Sequence, residues 1–161
     1  MNKQKTNKTP MDWALYFLSF KDRSEREMLD YLDEKQFGEV EAQETVWRLQ
    51  ELGLVDDLKY AKSFVSTRLA SKAVSRRRLS EQLYSHGIKK EVIEEALAEV
   101  SNDVEAENAR ICAEKYLRQL TGLQEDERRR RVFSRLLRRG YDTDTIERAI
   151  LEAGEGDSDA D

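Results

Sequence analysis

Apolar residues recur along this chain every three or four positions, the spacing that lines one face of an α-helix. Nine such segments follow one another, separated by short polar stretches that contain helix-capping residues. Thr9-Pro10 precedes the first segment, and Ser24 with Glu27 forms a capping box before the second. Gly53 falls where a left-handed residue ends the third. The pattern predicts nine helices, with Asp56 and Asp57 capping the fourth.

The predicted helices fall into three groups with the same internal spacing. The second helix of each group, the turn after it and the third helix keep register at offsets of 51 and then 53 residues. Agreement through a turn and into the next helix is harder to produce by chance than agreement along one helix, so it indicates an internal repeat. The matching apolar positions are Met28, Leu32 and Phe37, then Leu79, Leu83 and Ile88, then Val132, Leu136 and Tyr141.

A unit of about fifty residues buries little surface alone and should pack against its neighbours. We therefore predict an all-α fold of three tandem three-helix repeats that form an elongated, curved array. The first joint, with a short and half-apolar linker, is expected to be comparatively fixed, and the second to be softer. The predicted boundaries are a flexible N-terminal tail at 1–11, repeats at 12–56, 57–103 and 104–153, and an acidic tail at 154–161.

The composition excludes several classes of protein. The chain has 161 residues, of which 39% are hydrophobic and 38% charged. No apolar run approaches the ~18 residues of a membrane helix, and the first eleven residues lack the apolar core of a secretory signal, so we expect a cytoplasmic protein without membrane contact. Cys112 is the only cysteine, so one chain can form neither an internal disulfide nor a thiolate metal site.

Catalytic chemistry is poorly supported by the sequence. His86 is the only histidine, and its place before Gly87 at a helix end favours a partner of the helix dipole over a general base. Cys112 lies on an apolar helix face, which is typical of inert core cysteines. Asp56 and Asp57 suit helix caps better than a metal pair. No glycine-rich phosphate loop is present. We predict that the protein is not an enzyme and uses no cofactor or metal.

Charge is strongly segregated along the chain. The net charge is −5, but residues 59–90 carry 9 basic groups and 1 acidic group, and residues 128–139 carry seven arginines and no acid. Charges interact over a Debye length of ~10 Å at 0.1 M salt, so the local distribution decides polyanion binding more than the net charge does.

Two arginine runs are predicted at equivalent helix starts. Arg76, Arg77 and Arg78 open the fifth helix, and 128–131 are placed at the start of the eighth. Positive charge there opposes the helix dipole, whereas a phosphate backbone would benefit from both the N–H groups and the guanidinium forks. The repetition suggests one basic stripe along the array. An acidic protein surface could use the same stripe, so both partners stay open.

Several motifs together resemble the RecX family of bacterial recombinase regulators. The most specific stretch runs from Gly53 to Arg68 and reads G-L-V-D-D-x-x-Y-A-x-x-F-V-x-x-R. Arg23-Ser24-Glu25 precedes it, Gly87-Ile88 follows it, and Arg139-Gly140-Tyr141 resembles the final repeat more loosely. Residues 72–75 depart from the family pattern, which often has a glycine and an aromatic residue there. The resemblance covers about residues 12–152.

The resemblance implies a DNA-repair and SOS-response regulator without enzymatic activity. Such a protein binds the RecA filament on single-stranded DNA, along its groove, and inhibits or modulates its recombinase, ATPase and co-protease activities. It also implies accessory DNA contact by an elongated protein, which we expect to be a monomer. The residues expected to contact RecA or DNA are Arg68, Lys72, Arg76, Arg77 and Arg78, followed by Arg128, Arg129, Arg130, Arg131, Arg135, Arg138 and Arg139.

Two other functions remain open from the residues. The first is a nucleic-acid-binding helical protein that acts independently of RecA, although glutamates on the sixth and ninth helices argue against reading bases with those helices. The second is a helical-repeat scaffold for another protein. The proteins retained from a bacterial lysate would separate these possibilities.

Overall fold

The computed structural model describes residues 8–155, whose regular elements are all helices. The parts of the predicted tails at 1–7 and 156–161 lie outside the described residues. The helices are α1 (Pro10–Leu18), α2 (Glu25–Glu34), α3 (Glu39–Glu51), α4 (Asp57–Ser71), α5 (Arg76–Ser85), α6 (Lys90–Leu97), α7 (Asn102–Gln119), α8 (Glu125–Arg138) and α9 (Thr143–Glu155).

Local capping explains where several of these helices begin and end. The Ser24 hydroxyl accepts a hydrogen bond from the Glu27 amide at 3.1 Å, and the Glu27 carboxylate accepts one from the Ser24 amide at 3.0 Å. This is the predicted capping box, and it satisfies two amides that the helix leaves unpaired. Gly53 follows α3 with a φ of +69°, which confirms its predicted left-handed conformation.

Each three-helix unit has its own hydrophobic core. Leu32, Leu83 and Leu136, at equivalent repeat positions, are fully buried in the first, second and third cores. The accessible surface of the chain is 11205 Å², whereas a compact protein of 18.8 kDa exposes about 8300 Å². The all-α fold of three tandem repeats in an elongated array is therefore confirmed.

The two joints between units are built from the same hydrogen bond. Ser24 and Ser75, the N-caps of α2 and α5, are both fully buried. Their hydroxyls donate to the carbonyls of His86 and Arg139 in the next unit, at 2.8 and 2.7 Å. Each acceptor directly precedes a glycine. At each joint, the capped N-terminus of a helix in one unit thus packs against the glycine-containing turn of the next unit.

A carboxylate adds a second contact to each joint. Asp57 accepts from the Glu25 amide at 2.8 Å, and Glu105 accepts from the Arg76 amide at 3.0 Å. The predicted role of Asp57 as a cap of α4 was wrong, because its carboxylate caps α2 of the preceding unit, whereas Asp56 does cap α4. Both joints share these contacts, and the greater softness of the second joint stays a prediction.

The two ends of the array lack the residues that make a joint. In the first unit, Gln36 occupies the repeat position of the joint glycines, with a φ of +67°. In the third unit, Arg128 occupies the repeat position of the joint serines, and its guanidinium donates to the Leu117 carbonyl at 3.0 Å. Two joints of this kind therefore connect the three units within the described residues.

Replacing Ser24 by alanine should lower the free energy of unfolding by about 2–3 kcal/mol, because the helix loses its N-cap and the His86 carbonyl at the joint loses its donor. Ser101 is the matched control, because it caps α7 through the Val104 amide but is exposed. Ser101→Ala should cost about 1 kcal/mol. Urea unfolding followed by circular dichroism measures both. Equal losses would show that the bond across the joint contributes nothing.

Mild acid should favour the folded state through the two joint carboxyl groups. Burial raises the pKa of Asp57 and of Glu105, although a backbone N–H donated to each opposes the shift. A raised pKa means that the folded state holds the proton more tightly. The stability contribution is therefore greatest below the ordinary carboxyl pKa of about 4 and is lost as the pH rises through the folded value.

The comparison is with a variant that carries both Asp57→Asn and Glu105→Gln, which keeps an acceptor oxygen at each site and does not titrate there. The unfolding free energy of the parent minus that of the variant should decrease as the pH rises from 4 to 7. Urea unfolding at several pH values across that range measures this difference. A difference that stays constant or rises with pH would contradict the expectation.

Candidate functional site

A cleft at the second joint brings together basic residues from two units. It has a volume of about 340 Å³ and lies between α4, α5 and the end of α8. Five of its lining residues are basic and none is acidic. This surface, named the basic cleft, is formed by the side chains of Arg68, Lys72, Arg78, Arg138 and Arg139.

Different elements of the fold contribute the side chains that line the basic cleft. Arg68 lies in the last turn of α4, and Lys72 follows in extended backbone that turns the chain toward α5. Arg78 belongs to the first turn of α5 and donates its amide to Ser75 at 3.1 Å. Arg139 caps α8 and holds the carbonyl to which Ser75 donates. One buried serine therefore sets the position of both walls of the cleft.

Most of the positive charge in the basic cleft is not neutralised within the protein. In the part of the chain that the structure describes, no carboxylate lies within 4.0 Å of the basic groups of Arg68, Lys72, Arg138 or Arg139. Arg78 lies 3.5 Å from Glu81, but both side chains are exposed and such pairs are weak. The cleft therefore presents a concentrated positive field to an anionic ligand.

Aromatic rings hold two of the basic-cleft arginines. The Arg68 guanidinium lies 5.0 Å from the centre of the Phe64 ring, and the Arg139 guanidinium lies 5.6 Å from that of Tyr116. The Tyr116 hydroxyl also accepts a hydrogen bond from Arg139 Nε. These contacts orient the planar groups without reducing their charge.

The basic surface continues along the outer face of α8. A second groove of about 340 Å³ includes Arg130, Arg131, Arg135 and Arg138, so Arg138 borders both. Arg131 pairs with Glu127 at 2.6 Å, and Arg135 donates to Gln119 at 3.3 Å. The groove extends the positive surface beyond the basic cleft.

The predicted position of the second arginine run was wrong. The eighth helix begins at Glu125, so residues 128–131 lie in its second turn, and its first turn is acidic. Acids complement the helix dipole there and pair with arginines three or four residues later, as Glu125 does with Arg129 at 2.8 Å. The unfavourable interaction between arginines and the helix dipole is therefore present in α5, where Arg76 is the first residue, but not in α8.

Several of the predicted contact residues already have partners within the protein. Arg76 donates to the Val100 carbonyl at 3.3 Å and to Asn102 Oδ1 at 2.7 Å, and thereby ties α5 to the start of the third unit. Arg128 is held against α7 and is largely buried. Arg77 is exposed but lies 3.3 Å from Glu81. Arg76 and Arg128 thus have contacts within the scaffold, and their contact with a partner stays a prediction.

Comparison with known proteins identifies relatives of this chain. Three family models, for the first, second and third three-helix domains of RecX, match residues 11–49, 56–97 and 103–150. A relative named regulatory protein RecX, from Streptomyces lividans, is 30% identical over 140 residues, or 87% of this chain and 74% of its own. The chain belongs to the RecX family. This confirms the resemblance predicted from the motif at Gly53–Arg68.

Other members of the RecX family agree in sequence and in fold. A regulatory protein RecX from Chlorobium phaeobacteroides is 26% identical over 146 residues, which cover 89% of this chain and 93% of the relative. The crystal structure of RecX from Lactobacillus salivarius superposes with a TM-score of 0.85 and 25% identity, over 90% of this chain and 94% of that one. The relatives in this family are named as regulatory proteins.

Residues with potential chemistry outside the basic surface have structural contacts. His86 Nδ1 lies 3.0 Å from Glu27 Oε1 across the first joint, and Cys112 is buried in the third core, where burial raises the pKa of its thiol. Among the described residues, no group of three or more His, Cys, Asp or Glu side chains could hold a metal ion. None of the described helices has the length and apolar character needed to cross a membrane.

Proposed function

We propose that this RecX-family protein binds the RecA filament on single-stranded DNA and inhibits its recombinase, ATPase and co-protease activities, with the basic cleft contacting the DNA. Family membership supports a regulatory role. The observation that carries the DNA contact is the cleft itself, where five cations converge and four lack a carboxylate within the described residues.

The architecture supports binding along a filament. Three separate cores make an extended body, and the buried bonds from Ser24 and Ser75 fix each unit relative to the next. A body of this kind can contact neighbouring protomers of a helical polymer at once. Many modest polar contacts would then hold it in the groove, where it hinders protomer addition, so net disassembly follows. This mechanism needs no nucleotide site.

The chemistry of the basic cleft suits phosphate groups. Guanidinium groups present planar forks of N–H donors that match phosphate oxygens, and Lys72 adds a compact charge on a flexible stem. Each phosphate that is neutralised releases counterions from the strand. Binding to single-stranded DNA should therefore weaken steeply with salt.

The decisive experiment is ATP hydrolysis by cognate RecA on single-stranded DNA while this protein is added. The hydrolysis rate should decrease at ratios well below one molecule of this protein per RecA protomer, because one molecule that caps or lies along a filament affects many protomers. Binding of bare DNA without any effect on hydrolysis, even at excess protein, would contradict the proposal. That result would favour the second candidate, a nucleic-acid-binding protein that acts independently of RecA, which the same basic surface supports.

A further inference from the structure

A second cleft lies along α4 at the first joint. It has a volume of about 470 Å³ and is lined by three rings, those of Tyr60, Phe64 and His86. We name it the aromatic cleft. Arg68 borders it and also borders the basic cleft, so the two clefts meet at this side chain.

The rings of the aromatic cleft form a partly open wall. The centre of the His86 ring lies 6.0 Å from that of Tyr60 and 5.5 Å from that of Phe64. Tyr60 and Phe64 are only half-buried, although each also packs against the second core. Burial raises the pKa of Tyr60 to about 12, so its phenol stays neutral. Each of these two rings therefore retains surface toward the cleft.

The two clefts follow one row of α4. Tyr60, Phe64 and Arg68 succeed one another at four-residue intervals, so they share a face of the helix, and Lys72 follows four residues later in the extended backbone directly after α4. From Tyr60 to Arg68 the row spans about 12 Å along the helix. Its first half carries rings and its second half carries cations, with the Arg68 guanidinium lying against the Phe64 ring at 5.0 Å.

We propose that this row is a groove for single-stranded nucleic acid, in which bases stack on Phe64 and Tyr60 while phosphates lie along the basic cleft. Rings beside a positive groove are the combination by which proteins hold single strands without sequence preference. Bases of a duplex are already paired and stacked, so they cannot enter. The inference rests on the proposed DNA contact and adds the residues on which the bases stack.

The charges around the aromatic cleft favour a strand that passes through it. Lys21 and Arg68 lie on its lining, and Asp22 is the acidic residue among those that line it. Glu27 is engaged with His86 across the joint. The lining of the two clefts taken together is therefore strongly positive, and it becomes more so toward the basic cleft.

An abasic strand separates stacking from charge. The full chain would be titrated against fluorescently labelled strands of about 15 nucleotides: oligo-dT, an abasic strand and a duplex, with binding read by anisotropy. Oligo-dT should bind at least about fivefold more tightly than the abasic strand, the lower end of what one base–aromatic stack contributes. The duplex should show no such gain over the abasic strand.

Phe64→Leu tests the site. It keeps apolar volume against the core but removes the ring, so it should abolish the preference for oligo-dT over the abasic strand. Because the ring also orients Arg68, the readout is the ratio of the two affinities and not abasic binding alone. Tyr84→Leu is the matched control, because Tyr84 is 73% exposed and lines neither cleft. It should keep the preference. Should Phe64→Leu lose the helical circular dichroism of the parent, Tyr60→Leu replaces it as the test variant. The ratio of the parent's affinities for oligo-dT and for the abasic strand still tests the proposed groove.

Equal affinity of the parent for oligo-dT and the abasic strand would contradict the proposed groove. A preference for oligo-dT that persists in Phe64→Leu would contradict it as well. In that case the aromatic cleft only packs the first joint. RecA ATPase inhibition by the parent, measured alongside, separates the two claims. Inhibition without a base preference overturns the groove alone, and a base preference without inhibition overturns the proposed function alone.

Discussion

Gly87→Ala is expected to lower the free energy of unfolding by about 2–5 kcal/mol, because a strained backbone and an overpacked joint add together. Gly87 has a φ of +77°, and a Cβ there would lie 2.4 Å from Cβ and 2.5 Å from Cγ of Arg26. Those atoms lie at the base of the side chain and cannot move away without shifting α2. The first joint, and with it the Ser24 hydrogen bond, should open.

Gly53→Ala is the matched control. Gly53 also has a positive φ, +69°, but no atom lies within 4 Å of the added Cβ, so only the backbone cost of about 1–2 kcal/mol is expected. Urea unfolding monitored by helical circular dichroism measures both variants. Reductions of equal size at the two positions would mean that close packing of the units does not contribute to stability.

Removing charge from the basic cleft should produce the largest change in DNA binding. A variant with Arg68, Lys72 and Arg138 all replaced by glutamine lacks three cations that we expect to bind phosphates. For single strands the log–log salt slope falls by about 0.7 for each phosphate that is no longer neutralised, so it should become shallower by about 2. At 0.1 M salt this corresponds to roughly a hundredfold weaker binding. None of the three forms an ion pair within the described residues, so stability should change little.

The control variant removes the same amount of charge elsewhere. Arg48, Lys90 and Arg118 are exposed and line neither cleft, and their replacement by glutamine also removes three positive charges. Its salt slope should match that of the parent. Anisotropy titrations of a single strand at several salt concentrations measure both variants. If both slopes fall alike, attraction depends on overall charge and the basic cleft is not the site.

Much of the fold could be predicted because its determinants are local. The capping box of Ser24 and Glu27 joins residues three positions apart, and Gly53 directly follows its helix. Apolar spacing indicates which face of each helix is buried, and the repeat indicates that three cores exist. The start of α8 is harder to predict, because the acids at 125–127 resemble part of a polar loop. They are its first turn, where negative charge is favourable.

The candidate site could be predicted in composition but not in geometry. The arginine runs are visible in the sequence, yet nothing local distinguishes Arg76, which binds the Val100 carbonyl, from Arg78, which lines the basic cleft. Arg68 and Lys72 are predicted to contact a partner, but their position beside Arg138 depends on how two units pack. The rings of the aromatic cleft are visible along the chain only as residues of a helix face.

The helices, their caps, the three cores and membership of the RecX family all follow from the chain alone, because each depends on residues close together in it. The joints and the clefts, in contrast, depend on how the units pack. Ser24 and Ser75 reach carbonyls 62 and 64 residues away, and no pattern along the chain states which carbonyl a capping hydroxyl will meet. That choice depends on the close approach at Gly87 and Gly140, where any Cβ would collide with the neighbouring unit.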